Sequence, residues 1–289
     1  MFGFLRNLGL SKYGIVGINR RNVDLILEHN RRKYYPFADS KFKTKQIAQS
    51  VGVNVPELFL MLNYPFEIAD FHKALEGKGA FVIKPDHGSG GGGIIVIREK
   101  ARNGFRKASG VVVEFAELRY HMQNILSGMY SLGGRPDSIL IEEAVAFDPL
   151  FDEIAYQGVP DVRLIVLNGR PLMGMLRLPT KASDGKANLH TGGLGVGVNM
   201  DTGVTTYAIQ RNRYVTHHPE TGYPLRGRAI PFWRDMLDIS VKMQQASGLG
   251  YVGVDIVIDK RKGPMVLEIN ARPGIAIQAA NCKGLGDCL

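Results

Sequence analysis

Cysteine is nearly absent from this sequence. Cys282 and Cys288 lie close to the carboxyl end without C-x-x-C spacing, which excludes a disulfide scaffold. No apolar run approaches the ~18–20 residues that a membrane-spanning helix needs. The opening MFGFLRNLGLSKYG is broken by Arg6, Gly9 and Lys12, so no secretory leader is expected. There is no glycine period, no internal repeat, no low-complexity linker and no G-K-[ST] triplet of a P-loop. These absences leave a reduced, cytoplasmic, soluble protein as the expectation.

What is present is enough for a full core. The chain has 289 residues, 45% hydrophobic and 22% charged, sufficient for one large domain or two tightly joined ones. Glycine is abundant, with 35 residues, well above the ~7% of an average protein. The net charge of +9 is lopsided: residues 1–45 hold ten Lys or Arg against three Asp or Glu, so they carry most of the excess.

Ser40 stands as an N-cap before KFKTKQIAQSVG, with Ile47, Ala48 and Val51 as an apolar stripe and Gly52 where the helix should end. Pro56 forces an extended exit. A short helix is expected over 67–76, strands over 80–84, 94–98 and 111–114, a helix over 116–131, and a strand over 138–145. Val162, Leu164 and Val166 then alternate ahead of Asn168-Gly169, a two-residue hairpin signal, and 171–178 returns. A polar loop over 179–193, a helix over 231–247 and a last hairpin of 251–259 with 264–270 complete the pattern. The predicted class is α+β, with mostly antiparallel sheets and helices set to one side.

Two constellations carry chemistry. The first is Lys84-Pro85-Asp86-His87-Gly88-Ser89-Gly90-Gly91-Gly92-Gly93, five glycines in six residues between two β-rich runs. Such a segment is either a flexible hairpin loop or a cradle whose N–H groups close on a polyanion without Cβ obstruction. It leads to a strand rather than a helix, so it is no Rossmann fingerprint. Lys84, at the end of the preceding strand, points a charge at whatever the loop holds. The second is Asp255, Glu268 and Asn270. Glu268 and Asn270 are two apart and share a sheet face, and Asp255 lies on the partner strand. Two carboxylates and an amide oxygen suit Mg²⁺ held through bridging phosphates. Solubilising acids at a sheet edge are the alternative. These acids, however, interrupt apolar runs, where burial without a partner charge is costly.

The ordered set K-x-K-x-K, G-x-x-V-P, F-V-I-K-P with a Gly-rich loop, I-E-E-x-V, and V-D…L-E-I-N-A-R-P-G resembles the ATP-grasp superfamily, and within it the α-L-glutamate ligase group, over residues 39–280. The resemblance implies an ATP-grasp fold of two α+β subdomains clamping ATP between them, a lid of about 56–143 and a metal-binding core of about 144–280. Residues 1–38 are then a short basic segment and 281–289 a tail. It implies Lys43 and Lys84 as the nucleotide-phosphate lysines and Gly88, Ser89, Gly90, Gly91, Gly92 and Gly93 as the mobile loop over the triphosphate. Glu142, Glu143, Ala144 and Val145 would line the adenine slot, and Asp161 would lie near the ribose. Arg163 matches a D-x-R pattern common in the group and would bind substrate. Lys186 and Asn188 match an R-x-N phosphate-and-metal element in which Lys replaces Arg and loses the bidentate fork. Asp255, Glu268 and Asn270 fall on the metal triad, for Mg²⁺, with Mn²⁺ compatible.

The implied activity is ATP-dependent amide formation. The γ-phosphoryl of ATP activates a carboxylate as an acylphosphate, which an amine attacks; the acid is an amino acid such as glutamate, the acceptor a peptide or small amine. Arg272 is a candidate for carboxylate or phosphate contact, or else caps a turn. His190 either touches substrate or makes a structural loop hydrogen bond. His217-His218 is read as exposed loop and Trp233 as core. The basic cluster Arg20-Arg21 and Arg31-Arg32-Lys33 stands where such ligases usually carry a larger domain, and is read as a docking surface for an anionic substrate or protein partner. A nucleic-acid- or ribosome-associated binding protein and a regulatory ATP-binding protein without ligase activity are the competing readings. No nucleic-acid module supports the first, the intact triad opposes the second, and homo-oligomerisation is compatible with all three.

Overall fold

The computed structural model describes residues 11–88, 90–131, 133–147, 151, 154, 156 and 158–289. The chain divides into two compact units, one drawn from 1–39, 43–54 and 147–289, the other from 40–42 and 55–146.

The smaller unit is built on a six-stranded antiparallel sheet, β1 (Leu58–Leu62), β2 (Phe81–Pro85), β3 (Ile95–Ala101), β4 (Gly104–Lys107), β5 (Val112–Val113) and β6 (Ile139–Glu143), in the order β1-β6-β2-β3-β4-β5. Period-two alternation turns Phe81, Ile83, Ile139 and Ile141 into a core with Phe71, Phe105 and the helix Phe115–Leu126. That leaves Val82, Lys84, Leu140 and Glu142 on the opposite face.

The larger unit carries β7 (Asp161–Leu167), β8 (Arg170–Leu178), β9 (Leu194–Val198), β10 (Thr205–Gln210), β11 (Arg213–Tyr214), β12 (Tyr251–Asp259) and β13 (Gly263–Asn270), in the antiparallel order β11-β10-β9-β8-β7-β12-β13. Asn168 and Gly169 turn β7 into β8 with φ of 47° and 81°, the left-handed pair that a two-residue hairpin requires. Every residue of β12 is buried, because both faces of the sheet are covered. The helix Trp233–Ser247 packs on β7, β8 and β12, and a Cβ on Gly174 would stand 2.7 Å from the Trp233 ring. Ile165, Met173, Met175 and Tyr251 face the other way and pack with Val16, Leu25, Ile26, Ile277 and Leu285.

The expected basic segment and tail are therefore part of this unit. Asn30 Nδ2 donates to the carbonyls of Tyr251 and Ala271, and Tyr251 N donates back to Asn30 Oδ1. Gln278 bridges Val16 and Leu285. No helix among the described residues is long and apolar enough to cross a membrane.

Candidate active site

In the larger unit, strand register assembles a charged row. Met175, Arg163, Asp255 and Glu268 stand directly opposite one another across β8, β7, β12 and β13, and Arg177 stands opposite Asp161 one step along. Gly253 and Asn270 occupy the next row inward with Ile165, at the margin of the apolar core. The alternation of strands thus places Asp161, Arg163, Arg177, Asp255, Glu268 and Asn270 on one face.

Their hydrogen bonds interlock. Arg163 grips Asp255 with both Nε (2.7 Å) and a terminal nitrogen (2.6 Å). Arg177 grips Asp161 at 2.5 and 2.6 Å and extends the same terminal nitrogen to Asp255 at 2.7 Å. Asn270 Nδ2 lies 3.4 Å from both Asp255 and Glu268. Burial raises the Asp255 carboxyl, yet the guanidiniums of Arg163 and Arg177 outweigh it and hold the group well below the usual carboxylate range. Asp161 is pushed up to about 6, mainly by burial; Arg177 opposes the shift and the charge of Asp255 adds to it. Arg177 is driven still further toward its charged form, since Asp161 and Asp255 overcome its own burial.

The residue types fit a hard cation: two carboxylates face each other across one strand pair, beside an amide whose nitrogen lies toward both and whose oxygen would be the ligand. They differ from an all-purpose acidic cage in that Asp255 already shares its charge with two arginines. Asp161, expected near the ribose, has both of its oxygens bonded to Arg177. Arg177 itself escaped the sequence reading.

In the smaller unit, Lys84 and Glu142 form a buried ion pair on the face turned away from the core. They sit diagonally on β2 and β6, where Val82 pairs with Glu142 and Lys84 with Leu140. Glu143 and Ala144 donate their N–H groups to the carbonyls of Glu57 and Ala80, so β6 is fastened at the point where the expected adenine segment begins. Ala144 and Val145 follow it as irregular chain.

The glycine loop is pinned at both ends. Gly88 bridges to Ser131, and Lys41 Nζ donates to the Gly88 carbonyl at 2.5 Å and the Asp86 carbonyl at 3.3 Å. Asp86 accepts from Phe42 N and Ser40 Oγ, closing the start of the helix Lys41–Ser50. Asp137 accepts from His87, Ser131 and Ser138, and these bonds lower its pKa although burial opposes them. At the far end His121 Nε2 meets the Gly93 carbonyl at 2.8 Å and so carries the proton there. Burial lowers the His121 pKa, consistent with a neutral ring. Gly90, Gly91 and Gly93 have φ of 64°, 78° and 75°, a run of left-handed backbone only glycine adopts freely. Ser89 lies outside the described residues.

Other expectations fare unevenly. Lys43 is exposed on its helix, whereas Lys41 and Lys45 are buried. Lys186 and Asn188 are half-buried in the loop after β8, and Asn188 Oδ1 accepts from the backbone of His190, which is exposed. Arg272 stacks over Tyr35 at 4.5 Å and lies 3.6 Å from Asp39. Trp233 is core, as expected, with Nε1 bonded to the Met200 carbonyl. The His pair is not simply exposed loop: His218 is buried, bonded through Nε2 to the Pro179 carbonyl, and only His217 stands in solvent. Of the basic cluster, Arg20 pairs with Asp24 and Arg21 donates to the Pro273 carbonyl, so part of it serves the fold.

Two antiparallel α+β units, one with a buried lysine and a glycine loop, the other with a carboxylate–amide row, define an ATP-grasp fold. The same fold is seen in D-alanine–D-alanine ligase from Bacillus anthracis (TM-score 0.50, 14% identity, covering 90% of this chain and 63% of that one). Biotin carboxylase from Campylobacter jejuni shares it as well (TM-score 0.54, 14% identity, 88% and 44%). Residues 20–289 match the family described as sugar-transfer associated ATP-grasp, and the chain belongs to that family. Among curated proteins it is similar to a probable α-L-glutamate ligase of Xanthomonas oryzae pv. oryzae, 26% identical over 238 residues. It is also similar to a ribosomal protein bS6–L-glutamate ligase of Salmonella paratyphi B, 24% identical over 238 residues. These alignments cover 82% of the chain but only 58% and 57% of those relatives.

Proposed function

We propose that this chain is an ATP- and Mg²⁺-dependent carboxylate–amine ligase that joins an amino acid such as glutamate to a peptide or small amine. The observation that carries the reading is the row Arg163–Asp255–Glu268 with Asn270, charged groups set at the margin of an apolar core where only a polyanion–cation complex or mutual pairing makes their burial tolerable. The family membership and the similarity to two named glutamate ligases support the same class.

In this reading a carboxylate oxygen bonds to the γ-phosphorus of ATP as the bond to the β–γ bridging oxygen breaks and ADP leaves, giving an acylphosphate. The amine nitrogen then attacks the acyl carbon, phosphate departs, and the amine loses a proton. Asp255, Glu268 and Asn270 would hold the cation, which supplies positive charge to the transferring phosphoryl group. Arg163 and Arg177 keep Asp255 ionised and fixed in place. Lys84, positioned by Glu142, supplies a point charge to phosphate, and the glycine loop offers N–H groups and excludes water. Lys41, bonded to the carbonyls on that loop, is the better candidate than Lys43 for the first phosphate lysine. Arg272, steadied by Tyr35 and Asp39, remains a candidate for a substrate carboxylate. Free Cys282 and Cys288 support a reducing compartment that contains ATP, such as the cytoplasm.

The test is ADP release by purified protein across amino acids and amine acceptors, with mass spectrometry of products. Acid–amine pairs should stimulate ADP release, and Lys84→Ala and Glu268→Ala should each lower it by ~100-fold or more while circular dichroism stays native. Turnover near wild type in both variants sinks the reading.

A further inference from the structure

The outer edge of the larger unit's sheet carries a second concentration of charge. From Thr205 to Arg228 the sequence holds Arg211, Arg213, Arg226 and Arg228 against one acid, Glu220, whose carboxylate lies 3.4 Å from His218 Nδ1. Backbone bonds from Val215 to Ala208, Leu225 to Thr216 and Thr205 to Arg228 tie this whole stretch together.

Three features mark it as built. Tyr207 and Tyr214 are exposed yet meet at 6.4 Å between ring centroids, and Arg226 lies over Tyr207 at 5.7 Å. That distance lies within cation–π range, and an arginine so placed is a group that can fork to a carboxylate. The turn between β10 and β11 places Arg211 and Asn212 at φ of 47° and 64°. Asn-Gly is the ordinary choice for such a turn, so an exposed arginine stands there against local preference. Finally, β11 is the last strand of its sheet, and an edge strand offers main-chain groups to an extended chain.

We propose that this Arg211–Arg213–Arg226 edge, with Tyr207 and Tyr214, docks an extended acidic peptide. Calling that peptide the acceptor rests on the ligase reading; the docking itself does not. The edge geometry favours peptide over single-stranded nucleic acid. Base stacking needs open ring faces, and Arg226 already covers one face of Tyr207 while Tyr214 meets that ring at 65°. Carboxylates instead need guanidinium edges and a strand to follow.

The experiment is fluorescence anisotropy on the full chain without ATP, using labelled oligoglutamate, oligoglutamine and oligouridine of equal length. Oligoglutamate should bind at least ~10-fold tighter than either of the others, and more weakly as salt rises. Arg213→Ala combined with Arg226→Ala should weaken it at least ~10-fold. Arg211→Gly separates binding from folding: it relieves the left-handed backbone and should raise the melting temperature while weakening oligoglutamate ~3-fold or more. Lys84→Ala should bind oligoglutamate like wild type, so loss of ligation with docking intact bears on the ligase reading alone. Unchanged affinity in both arginine variants, oligouridine binding as tightly as oligoglutamate, or docking lost in Lys84→Ala overturns the proposal.

Discussion

The two units hold their functional groups by different means. In the seven-stranded unit Asp161, Arg163, Arg177 and Asp255 grip one another side chain to side chain across three adjacent strands. In the six-stranded unit the glycine loop is held at its ends through main-chain carbonyls, where Lys41 and His121 meet those of Gly88 and Gly93. The charged row is embedded in strands by side-chain pairs; the glycine loop is tied by side chains that reach its backbone. Side-chain pairs fix the position of charge in one unit, whereas side-chain-to-carbonyl bonds fix the course of the backbone in the other.

The comparison breaks most severely at Arg177. Replacing it by Ala leaves Asp161 and Asp255 buried with one arginine fewer, and urea unfolding should show a loss of about 3–5 kcal/mol. Lys keeps the charge but not the fork, so Arg177→Lys should recover less than half of it. A result within error of wild type would show that the row is solvated rather than locked.

Lys84 and Glu142 sharpen the contrast, since theirs is a single buried pair and not a network. Lys84→Met alone should cost about 3 kcal/mol, and adding Glu142→Leu should restore most of that, because an apolar pair of similar volume replaces a buried ion pair at little cost. Both variants should lose ATP turnover on the proposed function. A non-additive recovery absent from the double-mutant cycle would mean the pair is not coupled.

The loop's ends should be sensitive to shape. A Cβ at Gly93 would stand 2.7 Å from Tyr130, on top of a φ of 75°. Gly93→Ala should therefore destabilise by about 1–3 kcal/mol. Gly79→Ala, with nothing within 4 Å of the new Cβ, should move stability by less than about 0.5 kcal/mol. Comparable melting temperatures for the two variants would remove the distinction.

The smallest effect concerns Asp137, whose folded pKa lies below its ordinary value of 3.8. A depressed acid contributes stability above its unfolded pKa and loses it as pH falls through the folded one. As pH falls below about 4, wild type should lose more stability than Asp137→Asn, as read by denaturation at each pH. Parallel profiles would show that the carboxylate does not help fasten the loop.

Period-two patterns made the core strands legible. Asn168-Gly169 marked its hairpin, and the two-residue spacing of Glu268 and Asn270 put both on the face of Asp255. Arg177 was harder to find because of a single irregularity. Counting back from the turn, a plain ladder sets Arg177 opposite Pro160; the register shift between Ile165 and Val166 brings it opposite Asp161 instead. The Lys41–Lys43–Lys45 ambiguity was soluble by helical period, since Lys41, Thr44, Lys45 and Ala48 share the buried face and Lys43 does not. Asp86 closing the helix start was beyond sequence reasoning, as nothing local joins it to Phe42. Strands β9 to β11 were missed because glycine and tyrosine-arginine runs lack the clean alternation that marks a half-buried strand.

The shared guanidinium of Arg177 has a consequence for how this chain can change over generations. Each of Asp161, Arg163, Arg177 and Asp255 is tolerable only in the company of the others, so a lineage cannot exchange them one at a time without passing through a poorly folded form. The four should vary together or not at all among descendants that keep this sheet.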